Sequence, residues 1–444
     1  TRIGCDSMAK FASRPGQGDM PVTADVVVIG GGPAGASAAW ALQCAAPGIR
    51  TVIIEKGSQL ASGASNASLE NYRTCWTSLG NARLMRRSID VFHHAREVLD
   101  ADIGLKERGY LFLGFTEKQA HGLRADVVRL HDIGLTHVEY LDAAELQTRF
   151  PQAGPRALAG KYDPIAGWLD SHALVHAYVR QAANCTVLLD IEEARIEVDS
   201  GRVVGVWTPF GRISAPKVII AAGAGARQVG RTAGIELPVV VRPRQSFTTP
   251  WRHEPFPELS PMLISSAPFA HVRPEAQTGA IFGHEYNWND KYVKANGEPA
   301  RDYLTDPLYP VEQLKDPRFP SVTLAILARQ FGHADGEGFA NPRYLRGIDH
   351  RINYYVFRDN AYYTDAAGAQ HPYASQRAII DAWRDIDGLY LSIAHVGHGI
   401  MSSAAAGEII AARVLDLPLP DPAFADFGLD VPYAEFDHGG LSKD

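Results

Sequence analysis

Three glycines spaced as Gly30-x-Gly32-x-x-Gly35, followed by a carboxylate at Glu55, form the pattern in this chain that most clearly points to chemistry. Gly30 permits a tight turn, Gly32 lets the backbone approach phosphates, and Gly35 lets a helix pack closely on a strand. Glu55 comes where a ribose diol would be bound. The pattern predicts a site for a dinucleotide pyrophosphate, and by itself it does not separate NAD from FAD.

Two later segments carry small residues that could lie against the same cofactor. Ala222 and Gly223 end a buried β-branched run, and Gly397-His398-Gly399 precede a helix that begins near residue 402 and that serines would cap. A helix N-terminus suits the pyrimidine edge of a flavin, which becomes negative on reduction. NAD has no such need, so the segment favours FAD. The alternative is an ordinary turn without a ligand.

Composition limits the class of protein. The 444 residues include 46% hydrophobic and 21% charged residues and carry a net charge of −7, which gives no basic footprint for nucleic acid. No apolar run reaches the roughly 18 residues of a membrane span. Four dispersed cysteines favour reduced thiols, and residues 1–20 read as a loose extension without a secretion signal, so we expect a cytoplasmic protein. The histidines show no metal-ligand spacing, and we predict no metal site.

The order of predicted elements indicates how the chain is organised. Strand, turn and helix patterns occur near the beginning, middle and end, so the nucleotide-binding domain is discontinuous. Residues 81–99 read as one amphipathic helix with Val98 among its apolar positions. The predicted boundaries are 1–21 for an N-terminal extension, 22–96, 160–238 and 372–425 for the nucleotide-binding domain, 97–159 and 239–371 for a substrate domain, and 426–444 for a tail.

Together these motifs resemble the D-amino-acid-oxidase-like superfamily of FAD-dependent oxidoreductases, and within it the branch of sarcosine oxidase, glycine oxidase and dimethylglycine dehydrogenase. The resemblance spans about residues 26–417, and the motifs that carry it are Gly30-x-Gly32-x-x-Gly35, Glu55-Lys56, Gly63-Ala64-Ser65-Asn66, 218–223, His271-Val272-Arg273-Pro274 with Gly283, and Gly397-His398-Gly399. It implies an α/β fold. A discontinuous Rossmann-like FAD-binding domain would be joined to an α+β substrate domain with a large, mostly antiparallel sheet.

The same resemblance implies which residues contact FAD. Glu55 would bind the adenosine ribose, Lys56 would lie near the adenine, and Ile191 would touch the adenine through its backbone. The implied set is Gly30, Gly32, Pro33, Ala34, Gly35, Glu55, Lys56, Ala64, Ser65, Asn66, Ile191, Ala222, Gly223, Gly397, His398, Gly399, Ile400 and Met401. No histidine lies at 65–66, and Cys75 is not at the other attachment position of covalent relatives, so non-covalent FAD is expected.

The resemblance also implies substrate contacts. Arg73 aligns with the family arginine that grips a substrate carboxylate, and its planar guanidinium suits bidentate capture; the alternative is an ion pair or a contact with backbone. His398 could orient substrate or tune the flavin, or it could only fix its turn. Four aromatic residues could form a box around a methylated amine, or could be ordinary core aromatics: Trp168, Tyr286, Trp288 and Tyr355.

Two positions depart from the family pattern. Met401 replaces a lysine that shares the substrate carboxylate in sarcosine oxidases, and the lysine proposed to activate oxygen falls near Ile281. Position 281 therefore gives no support for rapid reaction with O2. The predicted electron acceptor is O2 or, alternatively, an electron-transfer protein or quinone.

The implied activity is oxidation of a C–N bond in an amino acid or N-alkylated amine. Hydride would pass to the flavin, and the imine would then be hydrolysed in water. Arg73 and His398 are the catalytic candidates. Two alternatives stay open: FAD-dependent oxidation of a hydroxy acid, and a flavin-binding assembly factor without turnover.

Overall fold

The computed structural model describes residues 9–14, 20–285, 304–359, 362–364, 370–372 and 377–431. Short, fully buried β-branched runs form the centre of a seven-stranded sheet, as is typical of parallel strands covered on both faces. Every neighbouring pair is parallel except the last. The strand order is Lys10–Ser13, Cys185–Leu189, Thr51–Ile54, Val26–Ile29, Val218–Ile220, Leu389–Ile393 and Ile379–Ala382.

The carboxyl ends of the parallel strands bring distant motifs to one edge of this sheet. Gly30, Glu55, Ile191, Ala222 and His395 each follow a different strand by one or two residues. Ligands of open α/β sheets bind beyond this edge. The sheet therefore explains how residues up to 365 positions apart reach one site.

The N-terminal segment differs from the predicted loose extension. Residues Lys10–Ser13 form an edge strand that pairs in parallel with Cys185–Leu189, and the Ser13 hydroxyl donates a hydrogen bond to Asp190. Part of this segment thus belongs to the central sheet.

Helices cover the sheet and pack closely where small residues allow it. A Cβ added to Gly407 would lie 2.4 Å from the carbonyl oxygen of Ser37, so glycine permits the contact between the first and last long helices. The α-helices of the described ranges are Pro33–Ala45, Leu79–His93, Ala95–Val98, Glu117–Asp132, Ala143–Arg149, Ser171–Gln181, Ala226–Thr232, Phe319–Phe331 and Ser403–Val414.

The single helix predicted over 81–99 is wrong. The helix ends at His93, a separate short turn follows at Ala95–Val98, and the side chain of Val98 is 43% exposed. The apolar periodicity continues through the break, because it reports only which positions face the core and not whether the backbone is continuous.

A second sheet of eight strands confirms the predicted substrate-domain architecture. It is antiparallel throughout, apart from the pairing between Met262–Ile264 and Tyr110–Gly114. Its order is Asp349–Arg358, Val239–Thr249, Gly279–Gly283, His271–Glu275, Met262–Ile264, Tyr110–Gly114, Ala159–Asp163 and Glu139–Asp142. Because Ala159–Asp163 belongs to this sheet, the domain boundary predicted at residue 160 falls within a strand.

Three smaller sheets complete the structure. One contains Arg195–Asp199, Arg202–Thr208 and Gly211–Ser214; another contains Asn71–Tyr72, Gly167–Trp168 and Lys106–Glu107; a third contains Tyr362–Thr364 and Gln370–Pro372. No helix within the described ranges has both the length and the apolar character needed to cross a bilayer.

Candidate active site

The first strand–turn–helix forms a cradle that only glycine can build. Gly30 has φ +117°, and a Cβ there would lie 2.3 Å from the carbonyl oxygen of Ala221. A Cβ on Gly35 would lie 1.9 Å from the carbonyl oxygen of Gly30, so this glycine allows the helix to sit against the turn. A Cβ on Gly32 would meet no atom within 4 Å, because this residue faces an open cavity. Pro33 begins the helix without sacrificing a hydrogen-bonded N–H.

That cavity has a volume of about 610 Å³, within the range of small-molecule and cofactor sites. Most of the predicted cofactor residues line it, namely Gly30, Gly32, Pro33, Ala34, Glu55, Lys56, Ala64, Ser65, Ile191, Ala222, Gly223, Gly397, Gly399 and Ile400. Gly35 lies behind the turn. Asn66 is absent from the lining, and its carbonyl instead accepts a hydrogen bond from Arg351 Nη1 at 3.2 Å.

One end of the cavity is organised by Glu55. Its carboxylate accepts hydrogen bonds from the backbone N–H of Gly31 at 2.6 Å and of Gly57 at 2.7 Å. Beside it, the Lys56 ammonium lies 4.3 Å from the centre of the Tyr309 ring and donates to its hydroxyl at 3.2 Å. Sequence reasoning missed Tyr309, since no local pattern marks a residue that reaches the site from 253 positions away.

A strained turn closes the other end. Ala394 and Val396 both have left-handed backbones, with φ of +57° and +52°, an unfavourable conformation that clusters at functional sites. Between them, His395 Nε2 lies 3.1 Å from Ser392 Oγ, and its buried Nδ1 has no hydrogen-bond partner among the described residues. Burial lowers the pKa of His395 to about 4, so its imidazole is neutral at pH 7.

A second, smaller cavity of about 190 Å³ adjoins the first. The two share Tyr355, Gly397 and Ile400 as lining residues. Arg73 lines only the smaller cavity, where its guanidinium lies 4.2 Å from the centre of the Trp76 ring and 5.9 Å from that of Tyr110. The aromatic rings hold this guanidinium in the small cavity.

A buried carboxylate fixes the loop that carries Arg73. Asp163 accepts hydrogen bonds from Thr74 N at 2.7 Å, Thr74 Oγ1 at 2.8 Å and Cys75 N at 3.1 Å. Burial alone would raise the pKa of Asp163, but the approach of His137 and the hydrogen bonds from Thr74 outweigh it and lower that pKa. Asp163 therefore stays ionised and holds the backbone on either side of the Thr74–Cys75 peptide bond.

His398 faces the same small cavity as Arg73. Its ring meets Trp76 edge to face, with centroids 4.2 Å apart. Burial, followed by the charges of Arg73 and His395, lowers the pKa of His398 well below its usual value, so the imidazole is neutral. The Ser402 hydroxyl donates to the carbonyl of His398 at 2.9 Å and does not accept from the helix N-terminus, so the predicted serine cap is wrong at this residue.

The predicted aromatic box is only partly assembled. Tyr355 lines both cavities, but Trp168 lines neither and stacks on the Arg273 guanidinium, 4.8 Å from the ring centre. Tyr286 and Trp288 lie outside the described residues. Trp168 therefore packs against Arg273 and is not part of an aromatic box.

Met401, Ile281 and Cys75 differ in whether they reach the two cavities. Met401 lines the small cavity, whereas Ile281 is buried in its strand and lines neither cavity, so the identity of residue 281 carries no argument about oxygen. Cys75 also lines neither cavity, and burial raises the pKa of its thiol to about 12. Within the described ranges, no group of three or more His, Cys, Asp or Glu side chains is placed to hold a metal ion.

Comparison with known proteins decides the family. The family described as FAD dependent oxidoreductase matches residues 25–413, which is most of the chain. The chain belongs to this family. The glycine cradle, the carboxylate at Glu55 and the cavity of about 610 Å³ that they line fit FAD, because a tight glycine turn suits a pyrophosphate, a carboxylate suits a ribose, and the volume suits a cofactor. FAD is therefore the cofactor of this oxidoreductase, as predicted.

Relatives of this oxidoreductase include the enzymes of the predicted branch. Human mitochondrial dimethylglycine dehydrogenase is 28% identical over 232 residues, which cover 51% of this chain and 26% of that protein. Sarcosine oxidase subunit beta from Rhizobium meliloti (strain 1021) is 24% identical over 296 residues, covering 64% and 68%. This chain thus spans about a quarter of the length of the first relative.

A solved structure agrees with the fold. The crystal structure of glycine oxidase from Geobacillus kaustophilus superposes with a TM-score of 0.68 at 21% identity, covering 92% of this chain and 97% of that one. At this identity the similarity establishes the fold alone. The predicted α/β architecture and family resemblance are confirmed.

Proposed function

We propose that this FAD-dependent oxidoreductase oxidises the C–N bond of an amino acid or an N-alkylated amine that carries a carboxylate. The observation that carries the proposal is the Arg73 guanidinium, which lines the small cavity, and this cavity shares Gly397 and Tyr355 with the larger one. When bound, FAD supplies the acceptor for the two electrons of the substrate C–H bond.

Arg73 would bind the substrate carboxylate through its planar fork, while Trp76 fixes the plane of that fork. The neutral His398 imidazole, which also contacts Trp76, would accept a hydrogen bond from the substrate amine and orient its nitrogen. The predicted cofactor residues remain part of the proposal, with Gly30 to Ala34 at the pyrophosphate and Gly397 to Ile400 at the flavin ring. The names of the two curated relatives, which refer to dimethylglycine and sarcosine, support an N-methyl amino acid as one substrate class.

Oxidation of a 2-hydroxy acid is a second candidate, and one observation favours it. The neutral His398 imidazole lines the same cavity as Arg73 and would accept a hydrogen bond from a substrate hydroxyl, which would orient that group for oxidation. The same Arg73 would then bind the carboxylate of the hydroxy acid.

Anaerobic stopped-flow reduction of the flavin tests both candidates. The holoenzyme would be mixed with N-methyl amino acids, with amino acids of both chiralities, with cyclic imino acids and with 2-hydroxy acids. Rapid bleaching by amines alone supports C–N oxidation, and bleaching by hydroxy acids alone supports the second candidate. A flavin that no compound reduces would refute both and support a non-catalytic assembly factor.

The electron acceptor and the cellular location are separate parts of the proposal. Reoxidation by O2 or by an artificial quinone after a single turnover distinguishes an oxidase from a dehydrogenase. A cytoplasmic location rests on the free thiols of Cys44, Cys75 and Cys185, of which the last two are buried.

A further inference from the structure

One face of the antiparallel sheet places two more arginines in the small cavity. Arg242 and Arg244 are two residues apart on the Val239–Thr249 strand. In the neighbouring strand Arg242 pairs with Tyr355, and Arg244 pairs with Asn353. Side chains at paired positions project to the same face of a sheet, and those two residues apart on a strand share that face. All four residues line the small cavity, so the register turns this face into its floor.

The arginines of this floor have different surroundings. The Arg242 guanidinium stacks on Phe357, 4.7 Å from the ring centre. Arg244 lies 5.7 Å from the centre of the Tyr355 ring and makes only a long 3.3 Å hydrogen bond to the carbonyl of Pro243. No carboxylate within the described ranges forms a salt bridge with Arg244. Its cationic head thus keeps hydrogen-bonding capacity for a ligand.

Tyr355 lies near two arginines and one carboxylate. Burial raises the pKa of Tyr355, the charge of Arg244 opposes that rise, Glu285 adds to it, and Arg73 opposes it with a smaller effect. Arg73 approaches from the loop beside Trp76, and Arg244 approaches from the sheet floor. The two arginines thus reach the cavity from different elements, and a ligand beside Tyr355 would lie near both of their charges.

Two acids, Glu70 and Glu285, line the small cavity within the described residues. Glu70 accepts hydrogen bonds from the backbone N–H of Ser171 at 3.1 Å and from its hydroxyl, and burial raises the pKa of Glu70. Glu285 lies at the exposed side of the cavity. Arg244 forms no salt bridge within the described ranges, so its positive charge is left to attract an anion to the floor of the cavity.

We infer that Arg244 forms a second anion subsite, and that the substrate is an amino acid or N-alkyl amino acid with a second carboxylate. Arg73 would bind the carboxylate next to the oxidised carbon, and Arg244 would bind the distal carboxylate. The inference rests on the proposed function for the identity of the reaction, but the two-anion subsite stands on the cavity alone. A monocarboxylate fills only one of the two arginine positions.

Binding of unreactive acids tests the subsite without turnover. Glutarate is butyrate extended by a second carboxylate at its far end, and the binding of each acid to the holoenzyme is followed through the flavin absorption spectrum. We expect glutarate to bind about 10- to 100-fold more tightly, the gain typical of a hydrogen-bonded charged group. In Arg244→Gln this preference should fall to within about threefold while butyrate affinity is unchanged.

Arg195→Gln is the matched control. Arg195 also lies beside an aromatic ring, 5.1 Å from the centre of Trp207, but it belongs to a peripheral sheet and pairs with Glu193. Its substitution should leave the preference for glutarate intact. Equal binding of glutarate and butyrate, or an Arg244→Gln variant that keeps the preference, would overturn the second subsite.

Turnover separates this inference from the proposed function. Aspartate is compared with asparagine and glutamate with glutamine, each in both chiralities and as N-methyl derivatives, by anaerobic flavin reduction. Faster reduction by the acids, lost in Arg244→Gln, supports both. If asparagine and glutamine reduce the flavin as fast as aspartate and glutamate do, the proposal of C–N oxidation stands and the proposal of a dicarboxylic substrate is refuted. Tight glutarate binding without reduction by any amine keeps the subsite and refutes amine oxidation.

Discussion

Replacing Arg73 tests the centre of the proposed substrate site. Its guanidinium is held at 4.2 Å from the Trp76 ring, so a bound carboxylate would meet both prongs of a fixed fork. A hydrogen bond to a charged group contributes about 1.5–3 kcal/mol, and every 1.4 kcal/mol is about tenfold in affinity. Arg73→Lys, which keeps the charge but loses one prong, should raise KM about 30-fold. Arg73→Ala loses both bonds and should lower kcat/KM about 1,000-fold.

The pH profile provides a second readout of the same substitution. The charge of Arg73 helps to hold the pKa of His398 well below its usual value, after the larger effect of burial. Removing that charge favours the imidazolium, so the pKa of His398 rises in Arg73→Ala, although burial keeps it below the usual value. The acid limb of the kcat/KM profile should therefore move to higher pH.

Steady-state kinetics with FAD content measured in parallel decide the outcome. Arg83→Lys is the control, since Arg83 is close in sequence but forms a surface ion pair with Asp421 at 2.8 Å. Its kinetics should match those of the native protein. An Arg73→Ala variant that keeps its FAD and shows an unchanged KM would refute the assignment of Arg73 to the substrate carboxylate.

Three further substitutions test the parts that support this site. Gly32→Ala adds a Cβ that meets no protein atom within 4 Å, so it should leave apoprotein stability unchanged but weaken FAD binding at least tenfold. Gly48→Ala is the control, because its added Cβ is equally open and should change neither stability nor FAD affinity. A stable Gly32→Ala variant with full FAD affinity would contradict the pyrophosphate role. Glu55→Gln should weaken FAD binding about tenfold by equilibrium titration, because the amide cannot replace both charged acceptors, and an unchanged Kd would remove Glu55 from the ribose site. The lowered pKa of Asp163 stabilises the fold above the unfolded value of about 3.9, and that stabilisation is lost as pH falls through the folded pKa. Asp163→Asn should therefore lower the free energy of unfolding, measured in urea at pH 7, by about 3 kcal/mol, and should make that free energy depend less on pH below pH 4. An unchanged pH dependence in the variant would contradict the stabilising role of the ionised Asp163.

The sequence alone determined the cofactor cradle. The conformation of Gly30 and the packing of Gly35 are local, since each glycine is required by a contact within one strand–turn–helix unit or with its neighbouring strand. The parallel strands could also be predicted, because runs buried on both faces are continuously apolar. The family and its cofactor followed from these local patterns and their order.

Features that depend on distant contacts could not be read from the chain. Val98 fits the helical period but lies beyond a break in the helix, and Trp168 has the chemistry of an amine-binding residue but packs on Arg273. Asn66 belongs to a family motif, yet its carbonyl is held by Arg351 outside the cofactor cavity. Composition and spacing do not say which aromatic or polar residue meets which partner.

Tertiary structure alone brought Arg73 and Arg244 into one cavity. The first belongs to a loop fixed by Asp163, and the second to a strand whose register with its neighbour selects the face that Arg244 shares with Asn353. Shifting that register by one residue would turn the arginine to the opposite face of the sheet. The sequence determined the glycine cradle because the turn is set by local sterics, whereas the charge of the small cavity was decided by strand pairing across more than a hundred residues.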